Sequence, residues 1–239
     1  LHSLSISPHN NNNNNNSEKP IPREEVERIG ETVQKILKKI CPSATAIICG
    51  SYRRGESSSG DVDMILTDMT LDECEVDLLD RLVQRLKTEG LITDTLRLST
   101  VHESKTGHNT FYGICRLNTG HLYRRIDIKV FPRHELPFAL LQWTGNDILN
   151  RSMKIYTKRR GLRLTDKALI PYIWPPGDKG TKYQRGPRAF GGLSDAEWVG
   201  TPIPCKTEKE VFAFLGLEYI KPEDRVVCRK KSKGGGVLV

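Results

Sequence analysis

The chain has 239 residues, 37% of them hydrophobic and 28% charged, which suits one large folded domain or two modest ones. Its 37 Lys and Arg against 29 Asp and Glu leave a formal net charge of +8, which favours a polyanionic partner. No apolar run reaches membrane-spanning length, so a membrane partner is not expected.

Six cysteines (Cys41, Cys49, Cys74, Cys115, Cys205 and Cys228) lie scattered, with no Cys-x-x-Cys pair and no Cys/His cluster. Free thiols are expected, rather than a zinc site or a disulfide framework. The chain opens on Leu1 rather than Met, so a fragment, an incomplete gene product or a trimmed sequence is expected.

Residues 1–21 hold a Ser/Pro/His segment and seven consecutive Asn at 10–16, a composition that cannot build a core. A disordered tail or linker is expected there. Pro22 then opens a helix in which Val26, Ile29, Val33, Ile36, Leu37 and Ile40 recur at helical spacing. Glu24 and Glu25 suit its first turn, and Lys35, Lys38 and Lys39 its last. Arg23 stands at its entrance.

Residues 50–63 read GSYRRGESSSGDVD, between apolar Ala46, Ile47 and Ile48 and apolar Met64, Ile65 and Leu66. This predicts a strand, a Gly-Ser turn, a basic Ser-rich connection and a second strand. Alternation on that second strand sets Asp61 and Asp63 on one face and Val62 and Met64 on the other. Two adjacent carboxylates repel each other unless a cation lies between them or one takes a proton. Oxygen-only ligation suits Mg²⁺, which often binds substrate phosphates as well. Gly50 and Ser51 turn the chain with free backbone N–H groups, and a helix opening there aims its positive end at an anion. Arg53 and Arg54 add charge, while Ser59 and Gly60 offer a hydroxyl and an unhindered N–H. A metal pair facing a phosphate cradle is equipment for attack on a nucleoside triphosphate.

A second amphipathic helix is expected over 72–89, with Leu78, Leu79, Leu82, Val83 and Leu86 inward and Gly90 ending it. Residues 91–98 read as extended. Residues 99–109 read as a loop that places His102 and His108 at the surface. Residues 111–117 and 122–131 read as a β-hairpin turning at 118–121. On its second strand Ile126, Ile128 and Val130 take one face, and Arg125, Asp127 and Lys129 the other. That pattern fits either an exposed charged face or the wall of a polar cleft.

A boundary is expected near Arg133. Residues 137–143 are short and apolar, broken by Thr144-Gly145. A basic helix over 147–160 carries Lys154, Lys158, Arg159 and Arg160, with Ile148, Leu149, Met153 and Ile155 expected inward. Residues 171–206, rich in Pro, Gly and charge, read as a long loop. Thr207 caps a short helix running to Leu215. The tail at 229–233 is basic and expected to be disordered.

The GSYRRGESSSGDVD string resembles the signature of the nucleotidyltransferase superfamily, and more specifically the family X DNA polymerases of the beta and lambda branch. The RRIDIKV strand and the TG-x-D-x-x-N block beginning at Thr144 are similar to further parts of that family. The resemblance implies an α+β fold: a polymerase beta-like palm with a mixed β-sheet and flanking helices over 22–133, and a smaller α+β nucleotide- and template-binding subdomain over 134–239. It implies that Asp127 joins Asp61 and Asp63 as the third catalytic, metal-binding carboxylate, with two Mg²⁺ as cofactor and Mn²⁺ able to substitute. Gly50, Ser51, Arg54, Ser59 and Gly60 would cradle phosphates, and Arg23, in an IPREE context, would contact the triphosphate. Trp143 and Gly145 would border the incoming sugar, Asp147 its base, and Asn150 the minor-groove edge. Arg125 would contact the primer backbone and Lys154 the template strand.

The implied partners are a dNTP and primer-template or gapped DNA, for gap-filling repair synthesis by a monomer. The implied compartment is the nucleus, with mitochondria as the alternative. Two departures stand out. Gln142 replaces an aromatic ring common in the family, and Lys154 replaces an Arg, keeping the charge but losing the planar fork. Altered fidelity or DNA alignment is expected. Longer relatives carry an amino-terminal lyase domain and helix-hairpin-helix elements. About twenty residues precede Pro22 here, so lyase activity is not expected of this stretch and its DNA affinity should be reduced. Template-independent or non-DNA nucleotidyl transfer, and a catalytically silent DNA-end-binding fragment, remain alternatives.

Overall fold

The computed structural model describes residues 19–68, 77–99, 109–171 and 200–225. The Asn tract, His102, His108, most of the 171–206 stretch and the basic tail lie outside the described residues.

Strand β1 (Ile21–Pro22) leads into helix α1 (Arg23–Ile40). The heptad-like spacing sends Val26, Ile29, Val33, Ile36 and Leu37 inward, all almost fully buried. Strand β2 (Ala44–Ile48), the single-turn helix α2 (Gly50–Arg53), strand β3 (Ser58–Ser59) and strand β4 (Val62–Asp68) follow. Helix α3 (Leu78–Thr88) is buried through Leu78, Leu79, Leu82, Val83 and Leu86, as its spacing predicts; the expected start at 72 lies outside the described residues. Strands β5 (Ile92–Ser99), β6 (Asn109–Cys115) and β7 (Arg124–Val130) complete a five-stranded sheet in the order β2-β4-β7-β6-β5. The β4–β7 pair is parallel and the other pairs are antiparallel, so the sheet is mixed.

Helices α1 and α3 cover one face of this sheet. Their apolar stripes join Val62, Met64, Ile126 and Ile128 in a single core. Burying a side chain of that size contributes about 1.5–3 kcal/mol. A one-residue slip of β7 would exchange Ile126 and Ile128 for charged neighbours, so the core holds the register. That register sets Asp63 directly opposite Asp127. Glu25, in the first turn of α1, is buried and takes a two-pronged ion pair from Arg124 at 2.9 and 2.7 Å, which fixes the start of β7 against α1.

The rest of the chain forms helix α4 (Leu136–Thr144), helix α5 (Asp147–Arg159), the hairpin β8–β9 (Leu162–Leu164, Leu169–Pro171) and helix α6 (Glu208–Phe214), followed by a 3₁₀ turn, Pro222–Asp224. Thr207 caps α6 by accepting from the Glu210 N–H. Phe138, Leu141, Met153, Leu169, Val211 and Phe212 form a second core. Helix α5 is rotated from the expected orientation. Ile148 and Ile155 are 57% and 49% exposed, while Asn150, Met153 and Thr157 face inward. The inward stripe runs i, i+3, i+7 from Asn150, and the two Ile, seven residues apart, share a different stripe.

Candidate active site

The fold brings three carboxylates to one place, Asp63 and Asp127 from the adjacent strands β4 and β7 and Asp61 from the residue just before β4. Asp61, Asp63 and Asp127 each direct a carboxylate oxygen so that all three lie within 4.8 Å of one another. Asp63 and Asp127 project from the sheet face opposite α1, as strand alternation requires, while Val62 and Ile126 fill the core. The cluster lies in a cavity of about 720 Å³ lined also by Gly50, Ser51 and Arg54 on one side and by residues 142–148 on the other.

Helix α2 is tied directly to this cluster. The Cys49 N–H donates to the Asp63 carbonyl at 2.8 Å. Gly50 has φ +56°, and a Cβ there would come within 2.4 Å of Asp63 Oδ2, so only glycine fits. Ser51 Oγ donates to Ser59 Oγ at 2.8 Å. Arg54 reaches across the cavity and donates to the Thr144 carbonyl at 2.7 Å. Gly145 follows with φ +73°, and a Cβ there would stand 3.3 Å from the Arg54 guanidinium. A cis peptide joins Gly145 to Asn146, whose side chain caps α5 by accepting from the Leu149 N–H at 2.9 Å.

The electrostatics of these carboxylates suit a cation. Burial pushes the Asp63 carboxyl up to about 6; Asp127 adds to the rise, while Lys129 and Arg54 oppose it. Burial also raises Asp127, against the pull of Lys129 and Arg125. Arg125 pairs with Asp61 and stands 3.5 Å from Asp127 Oδ1. That buried oxygen makes no hydrogen bond. Burial with an unmet acceptor is costly unless a cation supplies the missing partner. An all-oxygen set of three acids fits a hard divalent ion.

Residues 20–133 match the family model described as DNA polymerase beta palm, and residues 139–226 match the one described as DNA polymerase beta thumb. The chain belongs to the family X DNA polymerases. It is 34% identical over 207 residues to DNA polymerase lambda of Arabidopsis thaliana, covering 86% of this chain and 36% of that protein. DNA polymerase lambda of Rattus norvegicus is 33% identical over 207 residues, covering 86% of this chain and 33% of that protein. The DNA-directed DNA/RNA polymerase mu of Homo sapiens is 28% identical over 230 residues, covering 86% of this chain and 41% of that protein. The chain thus spans about a third of the length of its lambda relatives.

Within this family X fold, the cavity gathers Gly50, Ser51, Arg54, Asp61, Asp63, Arg125, Asp127, Trp143, Gly145 and Asp147 of the residues singled out in the sequence. Gln142 lines it as well, whereas Arg23, Ser59, Gly60, Asn150 and Lys154 lie off its wall. Arg23 lays its guanidinium over the Tyr52 ring, 3.9 Å from the centroid, and donates to the carbonyls of Tyr52 and Glu56. It therefore braces the loop after α2 from behind. Ser59 is buried behind Ser51, and Gly60 is exposed with open space at its Cα. Asn150 is buried and donates to the Gln142 carbonyl at 2.7 Å, fixing the end of α4 instead of meeting the cavity. Lys154 is exposed on the outer side of α5.

Arg53 also departs from expectation. It points away from the cavity, donating to Glu208 at 2.6 Å and to Thr144 Oγ1 at 2.5 Å. Glu208 in turn holds Arg225 at 2.8 Å. This chain of ion pairs joins α2 to α6, and sequence reasoning missed it because Arg53 and Glu208 stand 155 residues apart. Thr207-Glu208 read only as a helix start.

Proposed function

We propose that this chain is the nucleotidyl-transfer portion of a gap-filling repair polymerase. It joins a dNTP to a primer 3′-OH on gapped or primer-template DNA and releases pyrophosphate. The observation that supports this most directly is the convergence of Asp61, Asp63 and Asp127 beside a cavity that Ser51 and Arg54 also line. Residues 22–133 serve as the catalytic palm and 134–239 as the nucleotide- and template-binding part, and the protein acts as a monomer in the nucleus.

Two Mg²⁺ ions, or Mn²⁺ in their place, would lower the pKa of the primer hydroxyl and take up charge on the departing pyrophosphate. Asp61 and Asp63 would hold both, and Asp127 the one facing the primer. The backbone at Gly50 and Ser51 and the Arg54 guanidinium would bind the triphosphate, Arg54 through forked hydrogen bonds. Trp143 and Gly145 would border the sugar, and Asp147 the base. Arg125, half exposed beside Asp61 and Asp127, would orient the carboxylates and meet the primer backbone.

The test is single-nucleotide gap filling with the four dNTPs offered singly. Incorporation that follows the templating base, and that falls at least about a thousandfold in Asp127→Ala, is expected. Template-independent addition, or equal activity in the variant, would refute the reading.

A further inference from the structure

The connection that follows α2 has no apolar anchor of its own. Residues 54–60 read RGESSSG, without an apolar side chain, and Gly55 crosses the turn at φ +80°. Such a segment keeps one shape only where bonds to the rest of the fold offset its conformational entropy. Arg54 opens it and Ser51 bonds to Ser59 across it, so its shape decides where both would meet a triphosphate.

The backbone of this segment is held by the stretch that enters α1. Strand β1 pairs with β3, Ile21 opposite Ser59 and Pro22 opposite Ser58, and Ile21 is buried in the core. The Arg23 N–H donates to the Ser57 carbonyl at 3.1 Å. Arg23 Nη1 donates to the carbonyls of Tyr52 and Glu56 at 2.7 and 3.3 Å, one on each side of the turn at Arg53–Gly55. The Tyr52 ring, 3.9 Å from the guanidinium carbon, seats the flat cation so that it can reach both. Arg124 holds the same stretch from its other end, donating to the Lys19 carbonyl at 2.7 Å. Arg23 stays off the cavity wall.

We propose that Arg23 is a positioning residue for the incoming nucleotide. Seated on Tyr52 and bonded to the Tyr52 and Glu56 carbonyls, it fixes the turn that presents Ser51 and Arg54 to the phosphates, and it does not touch the nucleotide itself. This rests on the reading of Ser51 and Arg54 as phosphate ligands.

The test is gap filling by the chain with one dNTP, which gives the KM for that dNTP. The KM for pyrophosphate in the reverse reaction and the Kd for gapped DNA are measured beside it, and the melting temperature of each variant reports its fold. Arg23→Met should raise both KM values at least about tenfold, because displacing a positioned group by about 1 Å can cost about a hundredfold. Its Kd for gapped DNA should stay within about twofold, since no phosphate contact to DNA is lost. Tyr52→Leu keeps the charge of Arg23 but removes its seat, and should raise both KM values at least about threefold. Arg23→Lys, which donates without a planar fork, should lie between Arg23→Met and the parent. The double variant should stay within about twofold of Arg23→Met, because both changes break one contact. Parental KM values in a folded Arg23→Met overturn the proposal. So do parental values in Tyr52→Leu, or losses that multiply in the double variant, either of which would make Arg23 a direct ligand of the triphosphate. Should Arg23→Met fail to fold, Tyr52→Leu decides alone. The underlying reading of the phosphate ligands fails separately, if Arg54→Gln leaves both KM values unchanged.

Discussion

Replacing Asp63 by Asn should stabilise the metal-free protein while removing its divalent-ion response. The Asp63 carboxyl is raised from 3.8 to about 6, chiefly by burial. A raised acid binds more protons in the folded than in the unfolded chain between those two values. Stability of the metal-free protein therefore falls as pH rises from about 4 to about 6, and the loss is complete above that window. At about 1.4 kcal/mol per pH unit the loss is about 3 kcal/mol, an upper limit because Asp63 keeps some contact with water. Asn fills the same space without the charge. At pH 7.5 in EDTA, Asp63→Asn should melt several degrees above the parent, at roughly 2–4 °C per kcal/mol for a chain of this size. At pH 3.5 the two should melt together. Adding Mg²⁺ should raise the parent's melting temperature and leave the variant's unchanged. A variant that melts at or below the parent in EDTA at pH 7.5 would refute the reasoning, because Asp63 would then be contributing stability as an ordinary paired carboxylate.

Gly50→Ala must adopt φ +56° and clear Asp63 Oδ2 at 2.4 Å. It should cost about 1–3 kcal/mol in urea unfolding and weaken the Mg²⁺-induced rise in melting temperature, because Asp63 has to move. Glu208→Ala leaves the fully buried Arg225 guanidinium and the partly buried Arg53 without their carboxylate. A loss of about 3–5 kcal/mol in urea unfolding is expected, with Glu208→Gln losing less. A Glu208→Ala change within 1 kcal/mol of the parent would show that the two arginines find other partners.

The palm-like half was legible because its chemistry and its core share one periodicity. The alternation that buries Val62, Met64, Ile126 and Ile128 necessarily turns Asp61, Asp63 and Asp127 the other way. Strand order and the parallel pairing of β4 with β7 follow from contacts between distant segments, which no local pattern carries. Helix α5 was misread because hydrophobicity alone chose its inward face. Asn150 is buried there because the end of α4 leaves the Gln142 carbonyl needing a donor, and Ile148 and Ile155 are left outside. Arg23 stands at the entrance of α1 as its position before the helix predicts, but its guanidinium meets Tyr52 and two carbonyls. The Arg53–Glu208–Arg225 chain left no trace in spacing or composition.

The most direct measurement is anomalous X-ray scattering from crystals grown with Mn²⁺, gapped DNA and a non-hydrolysable dNTP. Mn²⁺ peaks touching Asp61, Asp63 and Asp127, with the triphosphate against Ser51 and Arg54, are expected. Peaks elsewhere, or an Asp127 carboxylate without metal while the other two are filled, would contradict the account.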